Sequence, residues 1–139
     1  MTLTFTLVSR RELNLKILPA ADIHGVRSVY DWLTAKAEEQ QADLVILPGD
    51  LSAGSWDERE QQKEAEVFLS VLRKFCVPTL YLMGNDHFFS FTYEDRLMRP
   101  LHGRRLEFGE CNFVGYQYSA PFIGSIHEKP EEEIEKDTR

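Results

Sequence analysis

Three short apolar runs, at residues 13–20, 44–47 and 79–83, alternate with two stretches of helical periodicity, and this rhythm constrains the fold more than any other feature. Strand-length runs separated by helices build a parallel sheet through crossover connections, so the expected class is α/β. The first two runs are apolar at nearly every position rather than alternating, as in strands covered on both faces. The first helical stretch puts Val26, Val29, Tyr30, Leu33 and Ala37 on one stripe, with Lys36, Glu38 and Glu39 on the other face. The second carries Ala65, Phe68, Leu69, Leu72, Phe75 and Cys76, and Ser55 ahead of Glu58 reads as a capping box.

Outside these units the pattern differs. Residues 1–8 alternate threonine with apolar side chains and read as a strand. After Gly84 the composition turns aromatic and glycine-punctuated, and residues 104–108 and 112–116 read as an antiparallel pair turned at Gly109-Glu110. Pro130 followed by acidic residues has the chemistry of a helix first turn, which predicts a short helix from there toward Arg139.

At 139 residues, 42% hydrophobic and 12% aromatic, the chain suits one domain, 1–139, with one packed core, which excludes disorder and collagen-like architecture. Its net charge of −7 excludes an electrostatic grip on bulk nucleic acid or on anionic lipid, though not a local phosphate-cleaving site. Every apolar run falls well short of the roughly 18 residues a membrane-spanning helix needs. No basic segment precedes a long apolar one, so a cytoplasmic location is expected. Cys76 and Cys111 form no CxxC pair, and neither a disulfide framework nor a zinc knuckle is indicated.

The chemistry-bearing residues fall where the runs end: Asp22-Ile23-His24-Gly25, Gly49-Asp50-Leu51 and Gly84-Asn85-Asp86-His87. Open α/β sheets bind ligands along the carboxyl edge of their strands. If the backbone stays extended through Asp22 and His24, both side chains point to one face and converge on one ion. Asp50 can hold a second ion together with the first, and Asn85 offers a neutral carbonyl oxygen. Carboxylate, imidazole and amide oxygen suit manganese, iron or zinc better than a thiolate-loving ion. Taken singly, each cluster also has a structural explanation: Asp22 as a helix cap, Gly49-Asp50 as a tight turn, Asn85-Asp86 as an Asx turn and His24 as a surface imidazole. Turn chemistry alone does not call for all three clusters in this order on successive strand ends. Neither a Walker-type phosphate loop nor a Gly-x-Ser-x-Gly elbow is present.

With these clusters and their apolar lead-ins, residues 15–87 resemble the calcineurin-like metallophosphoesterases, whose signature runs Asp-x-His, Gly-Asp, Gly-Asn-His, each after a strand. The stretches at 113–116 and 120–122 are similar to small prokaryotic members of that family. The resemblance implies a metallophosphoesterase-like β-sandwich with flanking helices, four layers in the order α/β/β/α. It implies two divalent ions, manganese first with iron or zinc as alternatives. Asp22 and His24 would bind one, Asp50 would bridge both and Asn85 would bind the second. The implied activity is hydrolysis of phosphomonoester or phosphodiester bonds by a metal-activated hydroxide.

Two departures shape the expectation further. Asp86 stands where the family has its histidine and His87 is shifted by one, so His87, Asp86 or water is the expected proton donor. The chain also has no His-x-His, the segment that supplies the family's late imidazole ligands. His102 reads as part of a turn before the basic pair Arg104-Arg105, and His127 precedes the acidic tail without a strand context. The expected domain is therefore incomplete, truncated at its carboxyl end, weakly active or inactive alone, and dependent on self-association or a partner chain to cover the missing half. The alternative is a catalytically silent interaction or scaffold module on the same fold.

Overall fold

The structure, a computed structural model, describes residues 14–86, 89 and 91–139. The expected strand at 1–8, the first residue of the 13–20 run and His87 lie outside the described residues. The elements follow in the order β1 (Ile17–Pro19), α1 (Arg27–Glu39), β2 (Leu44–Leu47), α2 (Glu58–Leu72), β3 (Thr79–Tyr81), β4 (Met98–Pro100), β5 (Arg105–Phe108), β6 (Cys111–Val114) and α3 (Glu131–Asp137). β1-β2-β3-β4 pair in that order in one parallel sheet, and β5 and β6 form a separate antiparallel pair. Among the described residues the chain is thus mixed α/β, with a four-stranded parallel sheet and three helices.

The period-two alternation of the central strands divides the core. Val45, Leu47 and Tyr81 pack with Tyr30, Leu33 and Ala37 of α1 and with Phe68, Val71 and Leu72 of α2. Leu44 and Leu80 point the other way, joining Leu101, with Leu106, Phe108 and Phe113 of the β5–β6 pair against them. Two helices therefore cover one face of the sheet and the hairpin covers the other. Burying one leucine in such a core contributes about 2 kcal/mol from apolar area removed from water.

Several local expectations are corrected. Among the described residues β1 is the edge strand of the sheet, and Ile17 remains 40% exposed, so its continuous apolar run does not reflect cover on both faces. An edge also tolerates Pro19, which has no N–H to give a neighbour. The buried stripe of α1 is Tyr30, Leu33 and Ala37, while Val26 and Val29 are exposed. On α2, the cap is Asp57, whose carboxylate accepts from the backbone N–H groups of Arg59 and Glu60; the Ser55 hydroxyl bonds Glu60 instead. Cys76 is exposed rather than part of the helical stripe.

β4 carries no apolar run to announce it. Asp95 builds it by accepting from the N–H groups of Leu97 and Met98, both at 2.7 Å, and Thr79 N–H pairs with the Leu97 carbonyl at 2.7 Å. The hairpin turns at Gly109-Glu110 as expected, with Gly109 at φ 61°. The short α3 follows Pro130 and is pinned through Asp137, which accepts from the Tyr116 hydroxyl and from Lys129.

Candidate metal centre

Beyond the strand ends the three polar loops remain laced together by backbone hydrogen bonds. Asp22 N–H donates to the Gly49 carbonyl at 3.2 Å, His24 N–H to Asp50 at 2.9 Å, and Asp50 N–H to Met83 at 3.2 Å. Ile23 is buried at 3% exposure between Asp22 and His24, which face outward. The extended backbone on which convergence was made conditional is not what brings Asp22 and His24 together. Asp22 sits at φ 54°, His24 at φ 48° and Asp50 at φ 52°, all in the left-handed region. Such conformations cost a non-glycine residue about 1 kcal/mol or more and recur where a site over-determines its backbone.

One ligand atom from each of Asp22, His24 and Asp50 lies within 4.8 Å of the others. Two donors bonded to one ion at about 2.1 Å stand at most about 4.2 Å apart, so a small rotamer adjustment closes this triad around a divalent cation. Carboxylate–imidazole–carboxylate is a donor set for manganese, iron or zinc, and the charge of such an ion would offset the repulsion between the two carboxylates. On this chemistry the residues fit the group.

Glycine makes the third loop's approach sterically available. Gly84 has φ 92°, and a Cβ there would lie 2.4 Å from both the amide nitrogen and Oδ1 of Asp50. Past it, Asp86 N–H donates to Asp50 Oδ1 at 2.9 Å, and Asp86 Oδ2 stands 2.6 Å from His24 Nδ1. Asp86, a proton-donor candidate on the sequence, is thus engaged with two members of the triad. The other candidate, His87, lies outside the described residues.

Asn85 lies close enough to Glu128 to help hold its carboxylate in the ionised form. Glu128 also accepts the backbone N–H groups of Ile123 at 2.8 Å, Phe122 at 2.9 Å and Gly124 at 2.8 Å. The bonds from Ile123, then Phe122 and Gly124, with Asn85 adding to them, bring its pKa down to about 2. Sequence reasoning missed Glu128 because it adjoins the acidic tail, and no local pattern marks its reach to residue 85.

Among the described residues, the other histidines, His102 and His127, are not members of the triad. His102 Nδ1 accepts from Gln117 N–H at 3.3 Å, and its ring packs against Tyr116 and Tyr118. His127 is buried, with the Gln117 amide 3.2 Å from its Nδ1, and burial lowers the pKa of both imidazoles. Together with Arg104 and Gln117 they line a cavity of about 200 Å³ that Met83 also borders. Arg104 pairs with Glu94 at 3.0 Å, while Arg105 bonds Asn112 across the hairpin.

Compared with known proteins, the chain matches no family model and no curated protein.

Proposed function

We propose that this chain is a metal-dependent phosphoesterase domain of the calcineurin-like metallophosphoesterase type, hydrolysing phosphomonoester or phosphodiester bonds. The observation that carries the reading is the convergence of Asp22, His24 and Asp50 from two successive strand ends, each on left-handed backbone. In this reading Asp22 and His24 hold one divalent ion, Asp50 is shared and the Asn85 oxygen serves a second. Manganese is the first choice, with iron or zinc as alternatives. When bound, such ions supply Lewis acidity toward phosphoryl oxygens and toward water.

The chain's own residues orient and exclude rather than attack. Cys76 lies just before β3, at the opposite end of the sheet, and Cys111 lies on the hairpin, so neither is placed as a nucleophile beside the triad. In this reading the attacking oxygen is water's, as the family resemblance implies. The four-layer sandwich belongs to the same proposal, with the parallel sheet and its helix layer as one half. So do the partner chain or second copy over the rest, the phosphate-ester substrate and a cytoplasmic location. No described helix is long and apolar enough to cross a membrane.

A second reading, a silent interaction or scaffold module, is favoured by one feature: four histidines and no His-x-His pair. Two measurements separate the readings. Manganese in hundredfold excess over its Kd should stabilise the chain by about 2.7 kcal/mol, a rise of several degrees in Tm. Asp50→Asn should abolish the rise, and an unchanged melting curve in the native chain removes the metal reading. Hydrolysis of bis(p-nitrophenyl) phosphate with manganese is expected near background for this chain alone. Manganese-dependent turnover that Asp50→Asn eliminates would favour the enzyme, whereas metal binding with no turnover even beside a partner chain would favour the scaffold.

A further inference from the structure

We propose that Asp86 is the positioning residue of this centre, fixing His24 through its carboxylate and Asp50 through its backbone amide so that His24 offers Nε2 to the cation. The inference rests on the metal reading above. A neutral imidazole has one N–H and one lone pair, and only the lone pair binds a metal. At 2.6 Å from Asp86 Oδ2, His24 Nδ1 carries the proton, which leaves the lone pair on Nε2. The same residue's N–H holds Asp50 Oδ1 at 2.9 Å, so one residue restrains two donors from different strand ends.

This placement is built into the backbone. Gly84 lets the third loop lie against Asp50 at a distance no side chain would permit. The result puts residue 86 over the triad while its carboxylate is occupied by an imidazole rather than directed at substrate. Asp86 therefore acts through His24 and Asp50, and the position the sequence suggested for proton donation serves ligand orientation.

The test combines manganese titration by calorimetry with 15N NMR of the His24 ring in the metal-free chain at pH 8. His24 in the native chain should show the Nδ1–H tautomer. Asp86→Ala should shift the ring toward Nε2–H and weaken manganese 10–100-fold, the usual effect of losing such a partner. Asp86→Asn, whose amide oxygen can still accept from Nδ1–H, should keep the tautomer and lose less affinity. An Nε2–H ring in the native chain overturns the proposal directly, whether or not any variant folds. So does native affinity in Asp86→Ala, a result that would leave the metal reading standing. A native chain that takes up no manganese removes the metal reading and this role with it.

Discussion

Gly84 is the residue on which the third loop's approach depends. Its φ of 92° and the 2.4 Å clearance to Asp50 make Gly84→Ala a combined backbone and steric fault. The expected loss is about 2 kcal/mol or more in denaturant unfolding, together with loss of the manganese-induced rise in Tm. Gly103→Ala provides the comparison: its φ of 63° is also left-handed, but nothing lies within 4 Å of a Cβ there, so about 1 kcal/mol is expected. Equal costs at the two sites would show that the approach to Asp50 is not tight. At this scale Asp22, His24 and Asp50 were legible, because strand-end position and residue type are local properties. The turned backbone that brings them together was not, since non-glycine residues at positive φ leave no compositional mark. Nor was the engagement of Asp86 with His24, a pairing across 62 residues.

α1 and α2 were legible because their apolar periods are carried by several side chains each, whereas α3 and the hairpin were legible from the turn chemistry of Pro130 and of Gly109-Glu110. Boundaries and caps depended on individual hydrogen bonds. Asp57 caps α2 by accepting two N–H groups, so Asp57→Ala should lower stability by about 1 kcal/mol, with Ser55→Ala costing less. The reverse order in thermal or urea denaturation would reinstate the capping box read from the sequence. β4 escaped notice because Asp95 creates it, through bonds that no hydrophobic pattern encodes.

The segment at 119–128 is organised in a similar way, around Glu128. Its depressed pKa has a definite sign: the stabilisation is complete above its ordinary value of 4.5 and is lost as pH falls from there through about 2. Side-chain NMR should find Glu128 still ionised at pH 3.5. A midpoint at the ordinary carboxylate value would mean that the three N–H groups do not converge on it.

Across the whole molecule, the parallel sheet has helices on one face and a two-stranded hairpin on the other. The first half of this arrangement follows from the strand–helix rhythm of the sequence. The second depends on contacts between Leu44, Leu80 and Leu101, which no local pattern specifies. The sheet's carboxyl edge then gathers carboxylates from separate loops, a concentration of charge that the chain's net −7 does not dilute and that a divalent cation would offset. The central claim is that this edge holds such a cation. Anomalous diffraction from a manganese-soaked crystal tests it most directly. The expected result is a peak within bonding distance of Asp22, His24 and Asp50; manganese found only elsewhere, or no peak at that edge, would contradict it.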